Sequence, residues 1–490
     1  MKLLGKINFK FIFSLLFLIC FSLLLLVQGP CRISYTPPLS LVIPSDLLIE
    51  DSWYGIYFQG SYVGYSHFFM RTKTLKEGGG YFMRNVTNVT LPVLGTVQKL
   101  ALEVSLSLLS NYRLEEAHFK IRSHRYFLRG DLKKERGNLY KLSINTPSQN
   151  FQKKILLKNE IVASLIVPVT LNYFPLNKYT TLYFYDPFLE RKEELTLVRK
   201  GKVTIALDGE EKEAHLIYIH FGDARGKVYI DNQGKLLKEE FLGFEFVKKE
   251  PSVLFKEKPV LTMGNLANYL AVKATPLPNK ENLVYLKLKL EGVSKEFIRE
   301  DFNQRVEFKD GYFIVQVYKK EPQRIENLPL QGEFNSYLKE DRYIKFKTHK
   351  IEELVSSIIK GENNPLVILE KFLFWINTHI KKVPTLSLPN TLDVLEIKEG
   401  DCGELSALLV GFLRSVGIPS YVNIGLVYNK GKFFYHAWPS VFVGEWIDTD
   451  PAFNQLIADP THIKLLKGLE SQFQISKIIG NVKIEILEYK

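Results

Sequence analysis

Four polar side chains in the C-terminal part of the chain are of the types that carry out nucleophilic catalysis: Cys402, His436, Asp448 and Asp450. A thiol becomes a strong nucleophile when a base takes its proton, and histidine serves as that base at neutral pH. A carboxylate beside the imidazole holds it in one tautomer and stabilises its protonated form. These residue types predict covalent acyl transfer through Cys402.

The residues around Cys402 predict the start of a buried helix. Asp401 is suited to cap the helix, and Glu404, three residues later, completes a capping box. Cys402 is then the first helical residue, where the helix dipole and free backbone N–H groups favour a thiolate and could stabilise an oxyanion. Apolar residues follow at helical spacing until Gly417-Ile418-Pro419 ends the helix: Leu405, Leu408, Leu409, Phe412, Leu413 and Val416.

His436 falls on a strand that should pack against this helix. A hairpin is predicted over residues 421–438, and a further strand over 446–450. Side chains two residues apart share one face of a strand, so Asp448 and Asp450 both point toward the same side. Periodicity alone therefore leaves open which of the two acids orients His436.

Four separated motifs resemble the transglutaminase-like domain of bacterial cysteine peptidases and animal transglutaminases: Gly400-Asp401-Cys402-x-Glu404, Leu413-Arg414-x-x-Gly417-Ile418-Pro419, His436-Ala437-Trp438 and Trp446-x-x-x-Asp450-Pro451. The resemblance covers residues 345–490. It implies a papain- or transglutaminase-like fold with Cys402, His436 and Asp450 as the catalytic triad, and Asp448 as the alternative acid. Many relatives carry a His-Ala pair where this chain has Leu405-Ser406, which bears on specificity rather than on activity.

The pattern upstream of this segment changes from helical spacing to alternation. Short alternating runs separated by turn residues predict antiparallel strands. We therefore expect an α+β protein, in which β-rich domains and an N-terminal transmembrane helix precede the catalytic domain. The predicted boundaries are a signal anchor at 1–32, a tether at 33–50, a β-rich domain at 51–255, a small β connector or sandwich at 256–344 and the catalytic domain at 345–490.

The N-terminus predicts export. Three lysines precede an apolar run from Phe11 to Val27, so the positive-inside rule places the remainder of the chain outside the cytoplasm. The expected location is the inner membrane, with a single span and the catalytic domain on the periplasmic side; cleavage near Gly29 is the alternative. Besides Cys402 the chain has only Cys20 and Cys31, which excludes a disulfide framework.

Charge and motifs narrow the class of partner. The net charge of +12 comes without a nucleic-acid-binding motif, so no nucleic-acid partner is expected. No cofactor and no metal site is predicted. The favoured function is hydrolysis of amide or peptide bonds in peptides or proteins of the cell envelope. The alternatives are a transglutaminase that cross-links glutamine side chains and a non-catalytic envelope binding protein.

Overall fold

The computed structural model describes residues 26–28, 50–93, 96–111, 113–123, 125–156, 161–163, 176–186, 191–221, 224–259, 270–383 and 390–490. They divide into two compact units. The described residues up to 259, apart from residues 93 and 96, form the first, here called the β unit. Those from 270 onward form most of the second, here called the C-terminal unit.

The β unit is one large antiparallel sheet of 16 strands. Its spatial order is β10-β1-β11-β12-β13-β14-β15-β16-β2-β3-β4-β5-β6-β7-β8-β9. The strands are β1 (Leu26–Gln28), β2 (Glu50–Phe58), β3 (Ser61–Thr72), β4 (Tyr81–Val93), β5 (Thr96–Leu108), β6 (Leu114–Ser123), β7 (Tyr126–Arg136), β8 (Leu139–Asn145), β9 (Asn150–Leu156), β10 (Ile161–Ala163), β11 (Tyr179–Asp186), β12 (Arg191–Leu207), β13 (Glu210–Phe221), β14 (Ala224–Ile230), β15 (Leu236–Phe241) and β16 (Phe244–Lys249). A short helix, α1 (Pro251–Leu254), follows.

The C-terminal unit begins with strands and continues with helices. It contains β17 (Val272–Lys273), β18 (Tyr285–Glu291), β19 (Gln304–Lys309), β20 (Tyr312–Tyr318), α2 (His349–Ile359), α3 (Pro365–His379), β21 (Lys381–Lys382), α4 (Thr391–Ile397), β22 (Glu399–Gly400), α5 (Cys402–Ser415), β23 (Ser420–Asn429), β24 (Lys432–Phe442), β25 (Trp446–Asp448), β26 (Ile463–Lys467) and β27 (Lys483–Tyr489). One sheet has the order β19-β20-β18-β27, another has β17-β24-β23-β26 with β25 on β24, and β21 pairs with β22.

Helix α5 forms the centre of the C-terminal unit. Every residue from Cys402 to Arg414 is buried, which is the pattern of a helix enclosed on all sides. The Phe412 ring packs against Phe372 and Trp375 of α3, with ring centroids 5.4 and 5.5 Å away. The neighbouring strands β23 and β24 are buried along almost their whole length, so the helix and this sheet share one core.

The predicted α+β class is wrong for the chain as a whole. Strands make up 50% of the structure and helices 19%, and the large antiparallel sheet dominates. The prediction gave too much weight to the helical spacing of one segment around α2, α3 and α5. Alternating strands occupy a much longer part of the chain.

The transmembrane helix belongs to the same correction. Among the described residues, no helix has the length and apolar character needed to cross a membrane. Residues 11–25 of the predicted span lie outside the described part, and Leu26–Gln28 at its end form a strand that pairs with β10 and β11.

Candidate active site

Cys402 is the first residue of α5, and its helix end is capped as the sequence predicts. The Asp401 carboxylate accepts a hydrogen bond from the Gly403 N–H at 3.1 Å, and Glu404 accepts one from the Asp401 N–H at 3.2 Å. Gly400 leaves room for this capping box, because a Cβ at that position would lie 2.6 Å from the Glu404 Cβ. The predicted capping box is therefore confirmed, and it holds the thiol at the positive end of the helix dipole.

The face of α5 that carries Cys402 packs against the strand that carries His436. Ser406 lies one turn after Cys402, on the same side of the helix. Its hydroxyl donates to the carbonyl oxygen of Ala437 at 3.2 Å, and Ala437 directly follows His436 on β24. Ser406 thus joins the helix that begins at Cys402 to the strand residue next to His436.

Gly425 on β23 makes the close packing behind His436 possible. It is the register partner of His436 across the β23–β24 ladder. An added Cβ would lie 1.9 Å from the Ile463 carbonyl oxygen and 2.8 Å from the Trp438 ring. A side chain at this position would therefore displace the strands under the site.

His436 is fully buried and is hydrogen-bonded to one carboxylate. Its Nε2 donates to Asp450 Oδ2 at 2.7 Å, while its Nδ1 has no hydrogen-bond partner within the described part of the chain. With the proton on Nε2, the lone pair is on Nδ1, which is then the basic nitrogen. Burial lowers the pKa of His436, and Asp450 opposes that effect, so the imidazole is neutral near pH 7.

Asp450 uses both carboxylate oxygens. Oδ1 accepts from the N–H groups of Ala452 at 2.7 Å and Phe453 at 3.1 Å. Oδ2 accepts from His436 and, at 3.1 Å, from Nε2 of His462. Burial would raise the pKa of Asp450, but the two histidines and these hydrogen bonds hold it well below its usual range.

Asp448 has different partners, although strand periodicity places it on the same face. The residue ends β25, and its carboxylate accepts hydrogen bonds from Ser440 Oγ at 2.5 Å and Asn303 Nδ2 at 2.9 Å. It also pairs with Lys464 Nζ at 2.9 Å, and that lysine lies 3.2 Å from Asp301. We call this group, made of the buried Asn303, Asp448 and Lys464 and the half-buried Asp301, the lysine clamp. The structure thus brings Asp450, rather than Asp448, to His436.

His462 is a site residue that the sequence analysis missed. It is buried, and its Nδ1 lies 2.9 Å from the Asp459 carbonyl oxygen and 3.5 Å from the Asp459 carboxylate. Burial opposes its positive charge, but Asp459 and Asp450 outweigh burial and raise the pKa of His462 to about 9. It lies outside all four sequence motifs, so no local pattern pointed to it.

The histidine pair does not suit a metal ion. The ligand atoms of His436, Asp450 and His462 lie within 4.8 Å of one another. Both Nε2 atoms, however, direct their N–H groups at the same Asp450 oxygen. That oxygen occupies the point at which the two nitrogen lone pairs would have to meet on a metal, so we assign no metal to this cluster.

The arginine of the second motif has a structural role. Arg414 donates to the Ser420 carbonyl oxygen from Nε and Nη2, at 3.1 and 2.8 Å, and from Nη1 to the Lys339 carbonyl oxygen at 2.6 Å. It thereby fixes the end of α5 to the start of β23. A cavity of about 400 Å³ near Arg414, lined also by Lys467 and Glu470, contains none of the predicted site residues.

Residues 352–451 match the family model described as the transglutaminase-like superfamily. This part of the chain is a transglutaminase-like domain. The match includes Cys402, His436 and Asp450, and it ends before His462 and Lys464. At the level of the family, it supports a thiol acyl-transfer enzyme.

Solved structures similar to the chain include three distant ones. A candidate cysteine protease from Cytophaga hutchinsonii is 16% identical, with 42% of this chain and 86% of that chain covered and a TM-score of 0.29. A β-barrel-like protein of unknown function from Brucella abortus is 9% identical, with 42% and 97% covered and a TM-score of 0.31. A candidate protease from Parabacteroides distasonis is 12% identical, with 76% and 68% covered and a TM-score of 0.20. No curated protein matches the chain.

Proposed function

We propose that the C-terminal unit is a cysteine hydrolase that cleaves amide or peptide bonds through an acyl-enzyme on Cys402. The observation that supports this most directly is the hydrogen bond from His436 Nε2 to Asp450, because it leaves Nδ1 as the base. A carboxylate on one ring nitrogen and a nucleophile served by the other is the arrangement of a catalytic triad.

The reaction follows from these positions. Nδ1 of His436 takes the thiol proton, and the sulfur attacks the acyl carbon to form a tetrahedral oxyanion. The positive end of the α5 dipole, where Cys402 lies, stabilises that oxyanion. His436 then gives its proton to the leaving amine as the carbon–nitrogen bond breaks. Water attacks the resulting thioester, with His436 again as base, and releases the acid and the free thiol.

Access to the thiol requires movement. Cys402, His436 and Asp450 each have 0% exposed surface. An acyl donor therefore reaches the sulfur only after the site opens, and closure around the donor would exclude bulk water from the acyl transfer step.

Two alternative functions differ from hydrolysis in the fate of the acyl group: an amine removes it in one, and it never forms in the other. An amine in place of water would give cross-linking, and a binding protein would form no acyl-enzyme. The proposed substrates, peptides or proteins of the cell envelope, and the location at the inner membrane come from the sequence alone and stay predictions.

The test uses p-nitrophenyl acetate as acyl donor and a chain in which Cys20 and Cys31 are replaced by serine. We expect an acetyl group on Cys402 by mass spectrometry, p-nitrophenol release with turnover, and loss of both in Cys402→Ala and His436→Ala. His379→Ala is the matched control, because this histidine is exposed and its ring stacks on Trp375, with no contact to Cys402, His436 or Asp450 among the described contacts.

Adding monodansylcadaverine separates the functions. Free acetate as the main product supports hydrolysis, and acetylated amine as the main product supports cross-linking. Absence of any acetyl group on Cys402 in the folded protein would refute an acyl-transfer function.

A further inference from the structure

We propose that His462 is a positioning residue of this site, a buried imidazolium that donates to Asp450 from one side while His436 donates from the other. The proposal rests on the proposed function, since it concerns how the same thiol and imidazole are tuned. It adds a residue beyond the triad, and one that lies after the end of the matched family segment.

Hydrogen bonding requires both ring nitrogens of His462 to carry a proton. Nε2 faces a carboxylate oxygen of Asp450 at 3.1 Å, and Nδ1 faces the Asp459 carbonyl oxygen at 2.9 Å. A carbonyl or an ionised carboxylate can only accept, so each nitrogen must donate. A neutral ring has one donor and would leave one of these buried contacts as a repulsion between lone pairs.

The charges around His462 are arranged to keep that proton. Asp459 is itself buried and accepts from Gln455 Nε2 at 2.8 Å and from the Thr461 N–H at 2.9 Å. The Asp459 carboxylate lies 3.5 Å from Nδ1 of His462, so its negative charge favours the protonated ring.

Three further titratable groups face the cluster from other elements. The His436 ring centroid lies 5.9 Å from that of His462. Lys280 pairs with Asp459 at 3.3 Å and so competes with His462 for its carboxylate. Lys382 donates to the Ala452 carbonyl oxygen at 2.8 Å and interacts electrostatically with Asp450. The two carboxylates directly contact His462, whereas the lysines act through them.

The consequence for chemistry is a shift in pH dependence. One Asp450 oxygen serves two imidazoles, so the positive charge of His462 reduces the pull of Asp450 on a proton at His436. Consistent with this, His462 and Lys280 are among the groups that lower the pKa of His436, after burial. Protonated His462 also favours the Cys402 thiolate, so the pH at which Cys402 becomes reactive is lowered.

The experiment measures the rate of Cys402 alkylation by iodoacetamide from about pH 5 to 10, with the full chain carrying serine at positions 20 and 31. His462→Gln keeps an N–H donor but removes the charge, and we expect the midpoint of the profile to rise by about one pH unit. His379→Gln, the matched control, should leave the midpoint unchanged.

The outcomes separate this proposal from the proposed function. If the wild-type profile is the same in His436→Ala, the thiol and imidazole do not act together and the proposed function fails. If His436→Ala changes the profile but folded His462→Gln matches wild type, only the role of His462 fails.

A measurement on the unaltered chain covers the case in which His462→Gln does not fold. In ¹⁵N-histidine-labelled protein at pH 8, we expect one buried imidazolium with two slowly exchanging N–H resonances. Finding every slowly exchanging histidine with a single N–H at that pH would overturn the proposal.

Discussion

Exchanging each acid for its amide separates the orienting carboxylate from the structural one. In Asp450→Asn, Oδ1 can still accept from the two backbone N–H groups, but the new amide faces the N–H donors of His436 and His462. The imidazole loses its orienting charge, so we expect kcat for p-nitrophenyl acetate to fall by roughly 10²- to 10⁴-fold per folded molecule.

Asp448→Asn should lower the stability of the fold rather than its activity, because it weakens the lysine clamp and makes no contact with His436. Lys464 is fully buried, and removing a partner from a buried ion pair costs about 3–5 kcal/mol. Asp301 at 3.2 Å and Asn303 at 2.7 Å remain as partners of Lys464. We therefore expect a loss of about 2 kcal/mol in the free energy of unfolding and less than about a tenfold change in kcat.

Tryptophan fluorescence during urea unfolding gives the folded fraction, because three of the four tryptophans lie in the C-terminal unit: Trp375, Trp438 and Trp446. Ester hydrolysis is then compared at equal folded fraction. If Asp448→Asn costs more activity than Asp450→Asn under that condition, the orienting acid is Asp448. Equal losses would refute the assignment of the orienting role to Asp450 alone.

Three further predictions follow from the same contacts. Cys402→Ala and His436→Ala should abolish ester turnover while retaining the wild-type circular dichroism spectrum, and full activity in either would refute the mechanism. The pKa of His462 is raised from 6.5 to about 9, so protonated His462 should stabilise the fold by about 3 kcal/mol below pH 6.5, and this contribution should be lost as the pH rises through 9. Urea unfolding of wild type and His462→Gln at about pH 6 and about pH 10 should show this difference. Parallel pH dependences of the two proteins would contradict it. Gly425→Ala should destabilise the C-terminal unit by about 3 kcal/mol, because the methyl group collides with the Ile463 carbonyl and Trp438; a wild-type urea midpoint would contradict that packing argument.

Local patterns predicted the parts of the site that depend on neighbouring residues. The capping box around Cys402 needs only residues 401–404, and the hairpin that carries His436 needs only alternation and a turn. Both were read from the sequence because caps and turns have strong residue preferences. Asp450 and Asp448 could not be separated by periodicity, since the strand ends at Asp448 and the chain leaves the ladder before Asp450.

The parts that were missed depend on contacts between distant segments. His462 meets Asp450 through a loop with no repeating pattern, and Lys464 meets residues far upstream. The class of the whole chain was wrong for a related reason: short strands of ordinary composition do not reveal that sixteen of them join one sheet. Sequence spacing carries little information about such pairings.

The lysine clamp also has a consequence for the order of folding. His436 and Asp450 are 14 residues apart, whereas Asn303 contacts Asp448 and Lys464 across 145 and 161 residues. Closing a long loop costs more entropy and is slower than forming a hairpin. We therefore expect the histidine–aspartate pair to form early and the lysine clamp to form late, so that a newly folding chain has its catalytic base before Asp448 and Lys464 are joined to Asn303.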